Sequence, residues 1–426
     1  MNVAAAFPHH DTMRDSGTEW LGHIPANWEI RKMKFLFRDY SRKGMPNAEL
    51  LSVTQNQGVV PRTWVENRMV MPSGNLESFK FIEEGDFAIS LRSFEGGLEY
   101  CHHDGIISPA YTVLKRRSED LSPAYYRYLF KSAAFISELQ TSTVGIREGK
   151  NISFEELSYS LMPIPGPDEQ RAIAAFLVGK CGSIDEAVRI KEEQITLLRE
   201  RRQILIQQAV TRGLNPDAPM KDSGIDWIGK IPAHWEVKPL TAEAKLKSVA
   251  NRPELELLSV YLDRGVVKFS DVDEKRTNAT SLDLSNYQHV LRGDLVLNNQ
   301  QAWRGSVGVS FHEGIVSPAY IILKLSSRWD ADFANLFFRS GPMVSQYLVA
   351  SKGVGTIQRN LYWPKLKRAN VTIPPIEEQR DITRHVQAQC EKIDAGIQTK
   401  DGQIATLKEY KTSLINAAVT GKIKVT

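Results

Sequence analysis

The chain has 426 residues, of which 42% are hydrophobic and 24% are charged, and its formal net charge is +4. This length and composition suit two or three globular domains and exclude a low-complexity or fibrous protein. The sequence has no run of about 18 apolar residues and no secretory signal pattern at its N-terminus, so we expect no association with a membrane. Three cysteines (Cys101, Cys181 and Cys390) are too few for a disulfide framework in a chain of this length and favour a reducing, cytoplasmic setting.

The sequence contains an internal duplication. Met13–Glu29 reads MRDSGTEWLGHIPANWE and Met220–Glu236 reads MKDSGIDWIGKIPAHWE, with 11 of 17 positions identical. Further matches follow in the same order, among them GIISPAYTVLK from Gly105 and GIVSPAYIILK from Gly314. The period is far longer than the 20–50 residues of stacked solenoid repeats, so we predict two related domains.

Each repeat begins with a part that mixes short strands, turns and helices. LLSV, FAISLR and YTVLK read as strands in the first copy, and LLSVYL, DLVLN and YIILK read as strands in the second. Ser122-Pro123 predicts the start of one aromatic-rich helix, AYYRYLFKSAAFISELQ. In the second copy, Gly341-Pro342 should bend or interrupt the matching helix.

Each repeat ends in a long proline-free segment, residues 168–211 and 377–420, which predicts two long helices. Apolar residues recur at heptad spacing from Leu177 to Ala209 and from Val386 to Ala418. One interpretation is a solvated helix packed on its own domain. The matching seams favour an intramolecular coiled coil, which the connectivity requires to be antiparallel.

Full overlap of the two helices predicts a register in which paired residue numbers sum to about 588. Ile184 would then face Ile404, and Leu198 would face Cys390. Slips by one heptad are the alternatives. The same arrangement places Thr420, at the end of the second helix, beside the start of the first domain, and it keeps Cys181 too far from Cys390 for a disulfide.

The order of these motifs resembles the specificity subunits of type I restriction–modification systems. The resemblance rests on DSG-x-[ED]-W-[LI]-G-x-IP-x-x-WE at the head of each repeat and on PDEQR or IEEQR at the start of each long helix. It implies an α/β (α+β) fold in which two pseudo-twofold-related target-recognition domains are joined by two antiparallel spacer helices. We place a tail at 1–12, the first recognition domain at 13–165, the first spacer helix at 166–212, a linker at 213–219, the second recognition domain at 220–374, the second spacer helix at 375–421, and a tail at 422–426.

The resemblance also implies partners. Such a subunit binds double-stranded DNA and docks two methyltransferase subunits, with two restriction–translocase subunits in the full complex. S-adenosylmethionine, ATP and magnesium would then be held by the partner subunits and not by this chain.

The residues themselves favour a subunit without catalytic activity. The sequence has no P-loop, no Asn- or Asp-Pro-Pro-aromatic run and no Cys or His pair at zinc spacing. His102-His103-Asp104 suits a turn better than a metal site. Two alternatives stay open: a DNA enzyme that fuses recognition to catalysis, and a two-headed adaptor that binds protein or glycan.

The two copies act as an internal control for the location of DNA reading, because segments that differ between similar flanks can read different half-sites. Their side chains offer base-edge partners or phosphate contacts, although plain solvation is the alternative for any one of them. The candidate DNA-binding residues lie in three pairs of loops: Gln55, Asn56 and Gln57 with Asp263 and Arg264; Arg92 and Ser93 with Asn299, Gln300, Gln301 and Arg304; Arg147 and Lys150 with Gln358 and Arg359. Trp20, Trp28, Trp227 and Trp235 are shared by both copies, which favours framework packing or partner docking over base stacking.

Overall fold

The computed structural model describes residues 6–65, 76–144, 151–272, 283–354 and 358–425. Their contacts divide the chain into two compact units, Met1–Glu192 with Lys400–Thr426, and Glu193–Thr399. Each unit holds the globular part of one repeat and a portion of both long helices.

The first unit is built from short strands and helices. Its strands are Met13–Asp15, His23–Pro25, Glu29–Lys32, Phe37–Asp39, Leu51–Thr54, Gly58–Pro61, Lys80–Ile82, Phe87–Ile89, Glu99–Tyr100, Gly105–Ile107, Thr112–Arg116, Thr143–Val144, Asn151–Ile152 and Leu161–Ile164. Its short helices are Met33–Leu36, Arg62–Trp64, Leu76–Ser78, Ser93–Gly96, Pro123–Leu129, Ala133–Thr141 and Phe154–Leu157.

The second unit repeats this order. Its strands are Met220–Asp222, Lys230–Pro232, Glu236–Pro239, Ala244–Lys247, Leu258–Tyr261, Gly265–Lys268, Gln288–Val290, Asp294–Asn298, Val307–Val309, Gly314–Val316, Tyr320–Leu325, Ser351–Val354, Gln358–Leu361 and Asn370–Ile373. Its short helices are Leu240–Glu243, Phe269–Asp271, Ala302–Arg304, Ala331–Phe338, Gly341–Val349 and Trp363–Leu366.

An antiparallel four-stranded sheet lies in each unit, with the same strand order. In the first unit the order is Phe37–Asp39, Thr112–Arg116, Phe87–Ile89 and Glu99–Tyr100, and Val113 pairs with Ala88. In the second unit the order is Ala244–Lys247, Tyr320–Leu325, Asp294–Asn298 and Val307–Val309, which are the corresponding strands. The six segments predicted as strands all contain strands, since β-branched and aromatic side chains favour the pleated, half-buried surface of a sheet.

The aromatic-rich helix predicted from Ser122 is two helices, and the single-helix prediction is wrong. Pro123–Leu129 ends before Ser132, whose hydroxyl accepts from the Phe135 N–H and so caps a new helix, Ala133–Thr141. The Ser122 side chain makes no capping bond. In the second unit the break predicted at Gly341-Pro342 is confirmed, because Ala331–Phe338 and Gly341–Val349 are separate helices.

The two long helices span Pro167–Arg212 and Ile376–Val419 and run antiparallel within each unit, as predicted. In the first unit Lys411 pairs with Asp185 at 2.6 Å, and the Lys191 ammonium donates to Gln403 at 2.7 Å. In the second unit Arg202 lies 3.7 Å from the carboxylate of Asp394. As the residue number rises along the first helix from 185 to 202, the number of the contacted residue in the second helix falls from 411 to 394, as antiparallel helices require.

The predicted register is wrong by about one heptad. The paired residue numbers just given sum to 594 or 596, whereas the predicted register required about 588. Ile184 therefore does not face Ile404, and Leu198 does not face Cys390. Three cations of the helix seam, Lys191, Arg202 and Lys411, have an oxygen of the other helix within 4 Å in the observed register. Polar seam residues of this kind select one register over its neighbours.

The end of the second long helix packs against the start of the first globular part, as predicted. The Tyr125 hydroxyl donates to the Val419 carbonyl at 2.8 Å, and the Lys424 N–H donates to the Pro8 carbonyl at 2.7 Å. Gly421 adopts a left-handed φ of +70° against Pro25 and Trp28. In the second unit Gly213, with φ +69°, lies in the same way against Pro232 and Trp235. All three cysteines are free thiols.

A buried glutamine in the PDEQR and IEEQR motifs joins each long helix to its globular part. Gln170 accepts from the Ser122 N–H at 2.8 Å and donates to the Pro165 carbonyl at 2.9 Å. Gln379 accepts from the Asp330 N–H and donates to the Pro374 carbonyl at the same two distances. These bonds satisfy the first N–H of an aromatic-rich helix in both units, which gives the repeated motif a structural role.

Candidate nucleic-acid interface

The first divergent segment is the tip of a hairpin. Leu51–Thr54 pairs with Gly58–Pro61, and Gln55, Asn56 and Gln57 form an exposed three-residue loop between them. Gly58 closes the loop with a left-handed φ of +76°. Such a loop presents three side chains outward from a fixed backbone.

The second divergent segment of the first unit meets this hairpin tip. The Gln55 side-chain amide donates to the Arg92 carbonyl at 3.3 Å, and Arg92 is exposed. Both segments border an open groove of about 920 Å³. The groove is lined by Val53, Thr54, Gln55, Asn56, Gln57, Trp64, Val65, Ser90, Leu91, Arg92 and Tyr111. The structure therefore brings together two loops that were selected only because they differ between the copies.

Ser93 is the exception among the predicted residues of this loop. Its side chain is fully buried, and its hydroxyl accepts from the Ser90 N–H at 2.8 Å. Ser93 therefore supports the turn from within and does not face the groove, which corrects its assignment as a DNA-contacting residue. Arg147 and Lys150, the remaining candidates of the first copy, lie outside the residues that the structure describes.

Two aromatic residues of the groove were not among the candidates. Trp64 is 59% exposed and packs edge-on against His103, with ring centroids 4.9 Å apart. A bulky exposed tryptophan where the other copy has Asp271 is a signal that the comparison of copies could have found. Tyr111 belongs to the SPAY segment, which both copies share and which forms a turn before the strand Thr112–Arg116.

In the second unit the corresponding hairpin tip carries Leu262, Asp263 and Arg264. Leu258–Tyr261 pairs with Gly265–Lys268, and all three tip residues are exposed. The Arg264 guanidinium lies 5.2 Å from the centre of the Tyr261 ring. This tip has the same length as the first and a different set of charges.

The loop from Asn299 to Arg304 is organised around Trp303, which was also not a candidate. The Trp303 indole N–H donates to the Gln300 carbonyl at 2.9 Å. The Arg304 guanidinium lies 4.6 Å from the centre of the Trp303 ring, and the Arg359 guanidinium lies 5.9 Å from it. Arg304 and Gln300 are exposed, and Gln301 is partly exposed.

The third predicted segment of the second unit contacts this loop. Ser351–Val354 pairs with Gln358–Leu361, and the Leu361 N–H donates to the Asn299 carbonyl at 2.9 Å. Arg359 and Gln358 lie in the second strand of this hairpin. Two cations and an aromatic ring, contributed by two divergent segments, are thus held together on one surface.

The four tryptophans shared by the copies pack inside the units. Trp28 and Trp235 are fully buried, and Trp20 and Trp227 are partly buried against the same cores. The Trp235 indole N–H donates to Glu378 at 3.1 Å. Framework packing, one of the two roles predicted from their identity in both copies, accounts for the two fully buried tryptophans, Trp28 and Trp235.

His102, His103 and Asp104 form a turn. The Asp104 carboxylate accepts from the Glu84 N–H at 2.8 Å, and the Cys101 thiol donates to the His103 carbonyl. Across the described part of the chain, no three His, Cys, Asp or Glu side chains converge as they would around a metal ion. Among the same residues, no helix has the length and apolar character needed to cross a bilayer.

These features define a class of protein with an internal duplication. Each unit carries a polar, partly basic loop surface on a framework that both copies share, and each unit contains portions of two antiparallel long helices. No protein-family model matches the chain. It is 24% identical over 366 residues to the Type I restriction enzyme MjaVIII specificity subunit of Methanocaldococcus jannaschii, covering 81% of this chain and 80% of that protein. It is 21% identical to the Type I restriction enzyme EcoBI specificity subunit of Escherichia coli, covering 99% and 88%.

Solved structures show the same fold. The HsdS subunit from Thermoanaerobacter tengcongensis matches with a TM-score of 0.54 and 15% identity, covering 94% of this chain and 98% of that one. A chain from a structure described as "Structural basis underlying complex assembly and conformational transition of the type I R-M system" matches with a TM-score of 0.65 and 15% identity, covering 93% and 98%. The resemblance found in the sequence is confirmed: the chain is similar in sequence to type I restriction enzyme specificity subunits and shares the fold of an HsdS subunit.

Proposed function

We propose that this chain is the non-catalytic DNA-reading subunit of a type I restriction–modification complex, and that each unit reads one half of a bipartite target in double-stranded DNA. The observation that carries the proposal is the convergence of divergent loops. In the first unit, Gln55 and Arg92 come from separate segments and meet beside one groove. In the second unit, Trp303 and Arg359 also come from separate segments, and the Arg359 guanidinium lies 5.9 Å from the centre of the Trp303 ring.

The chemistry of these surfaces suits base edges and phosphates. Arginine can donate two parallel hydrogen bonds to guanine O6 and N7, and glutamine or asparagine can pair with adenine N6 and N7. We assign the exposed residues Gln55, Asn56, Gln57, Arg92, Gln300 and Arg304 to this role. Arg359, which lies beside the loop in a hairpin strand, is assigned to phosphate, where a cation contributes affinity without sequence preference.

The remaining parts of the proposal are the spacing of the half-sites by the long helices and the reactions carried out by partner subunits. The long helices would fix the separation of the half-sites and dock two methyltransferase subunits, with two restriction–translocase subunits in the complete assembly. S-adenosylmethionine, ATP and magnesium would be held by those partners. The methyltransferases would act on an adenine in each half-site, turned out of the duplex so that its amino group can be reached.

Methylation mapping tests the proposal. The gene would be expressed with its methyltransferase partner in a host that lacks related systems, and modified adenines would be mapped across the genome with and without this chain. We expect methylation at one bipartite sequence, present only when both proteins are made. Methylation at the same sites without this chain would contradict a recognition role.

Two alternatives predict different results. A DNA enzyme that fuses recognition to catalysis would transfer methyl groups or cleave DNA as a purified single chain. A protein- or glycan-binding adaptor would show no salt-dependent shift of mixed-sequence DNA in the presence of the methyltransferase.

A further inference from the structure

One partly buried cation occupies the same place in both units. Lys131 lies between the helices Pro123–Leu129 and Ala133–Thr141, and Arg339 lies between Ala331–Phe338 and Gly341–Val349. Each follows a fully buried phenylalanine, Phe130 or Phe338, and precedes a serine. In the first unit, Lys131 therefore lies at the break between the two helices Pro123–Leu129 and Ala133–Thr141.

Lys131 joins the hairpin tip to the second loop. Its ammonium donates to the Gln55 carbonyl at 3.1 Å and to the Gly96 carbonyl at 2.9 Å. It also lies 2.7 Å from both carboxylate oxygens of Glu99, a residue with no exposed surface. Burial raises the pKa of Glu99, and the Lys131 ammonium opposes that shift. Three separate segments thus meet at one ammonium group.

Arg339 reaches the equivalent hairpin tip. Its guanidinium donates to the Leu262 carbonyl at 3.2 Å and to the Asp263 carbonyl at 2.5 Å. Leu262 occupies the first position of its tip, as Gln55 does in the other unit. Burial lowers the pKa of Arg339.

The sheet position of Glu99 is occupied by Gly308 in the second unit. Glu99 pairs with Ala88 across the sheet, and the corresponding pair in the second unit is Gly308 with Val296. Arg339 therefore holds its hairpin tip without a buried carboxylate on the neighbouring strand. The shared element is the bond from a cation to a tip carbonyl, and the carboxylate is an addition in the first unit.

We infer that Lys131 and Arg339 are positioning residues that fix the reading loops for sequence discrimination without touching DNA. The inference rests on the proposed function. Both cations hold backbone carbonyls, which every residue type supplies, so the support does not depend on the side chains at the tip. A tip can therefore change the bases it reads while its backbone stays in place. In the first unit the same ammonium also sets the position of the second loop relative to the tip.

The test compares four variants as complexes with the methyltransferase partner. Lys131→Met alone would leave Glu99 buried and unpaired, which destabilises the fold for an unrelated reason. The first variant is therefore the Glu99→Gln, Lys131→Met double variant. Arg339→Met is its counterpart in the second unit, and Lys131→Arg and Arg339→Lys are the conservative controls.

Discrimination is measured as the ratio of methylation rates on the intact target and on oligonucleotides with one changed base pair in either half-site. Non-specific binding is measured on DNA that contains neither half-site. Each loss variant removes two charged hydrogen bonds to backbone carbonyls and should lower discrimination by about tenfold or more. We expect the double variant to lose discrimination in the first half-site only and Arg339→Met in the second only. Non-specific binding should be unchanged, and the conservative variants should keep most of the discrimination.

The inference would be overturned if the double variant discriminated as well as wild type in the first half-site, or if Arg339→Met did so in the second. Either result would leave the proposed function intact. Equal losses in both half-sites from one variant would also overturn the inference, because they would indicate general destabilisation. If the wild-type complex itself showed no sequence preference, the proposed function would fail first.

Discussion

The cluster of Trp303, Arg304 and Arg359 yields the sharpest prediction about base reading. Arg304 is exposed and lies against the Trp303 ring, and Arg359 approaches the same ring from a neighbouring hairpin. We predict that Arg304 reads a base edge, that Arg359 contacts phosphate and that Trp303 holds both guanidinium groups in position. The three substitutions Arg304→Ala, Arg359→Ala and Trp303→Leu should therefore have different consequences.

The magnitudes separate these roles. A bidentate contact between arginine and guanine contributes about 1–3 kcal/mol of discrimination, so Arg304→Ala should lower preference at one base pair by about 5- to 150-fold. A cation–π contact at an exposed site contributes about 0.5–1 kcal/mol, so Trp303→Leu should cost about two- to fivefold in the same discrimination. Arg359→Ala should weaken binding to all sequences and reduce the slope of log affinity against log salt by about 1.

Competition binding by the methyltransferase-bound complex measures all three effects. The DNA panel would vary one base pair at a time in both half-sites, at several salt concentrations. Arg92→Ala is the matched control, because Arg92 is the exposed arginine of the corresponding loop in the first unit. It should change the first half-site and leave the second as it is.

Several results would refute this reasoning. Wild-type discrimination in an Arg304→Ala, Gln300→Ala double variant would remove the loop from the reading surface. A larger loss from Trp303→Leu than from Arg304→Ala would show that the ring contacts DNA itself. Additive losses in the Trp303→Leu, Arg304→Ala double variant would show that the ring does not act through Arg304.

Two further predictions concern stability. Gly421→Ala should lower the stability of the protein more than Gly213→Ala. Both glycines have a left-handed φ, which costs an alanine about 1 kcal/mol. A Cβ at Gly421 would also lie 2.3 Å from Pro25, whereas a Cβ at Gly213 would lie 3.1 Å from its nearest atom. Equal losses of melting temperature would show that the helix end is not packed as described. Burial raises the pKa of Asp86 to about 6 from 3.8, so its contribution to folding is present at low pH and is lost as the pH rises from about 4 to about 6. The free energy of unfolding of wild type minus that of Asp86→Asn should therefore fall across this window, by up to about 3 kcal/mol in denaturant titrations, and a rise would contradict the argument.

The sequence was a good guide to the elements of the fold. Heptad spacing and the absence of proline located both long helices within a residue or two, because these are local patterns. The register was not predictable in the same way. It depends on which acceptors lie across from Lys191, Arg202 and Lys411, and these acceptors are about 200 residues away in the chain. Pairing the apolar residues alone favoured the wrong heptad.

The candidate interface was predicted in part. Comparison of the two copies finds divergence, and it therefore located the hairpin tips and the loops that meet them. Divergence does not report exposure, so it included Ser93, which is buried. It also does not report which atoms support a loop. Lys131 and Arg339 were overlooked because they sit inside similar aromatic-rich segments and act on backbone carbonyls from a distant part of the sequence.

Exchange of one recognition domain tests the central claim most directly. Residues 13–165 would be replaced by the equivalent segment of a relative with a different target, and genomic methylation would be mapped with the same methyltransferase partner. If each unit reads its own half-site, one half of the bipartite sequence changes, while the other half and the gap stay the same. A change in both halves, or in neither, would contradict independent reading by the two units.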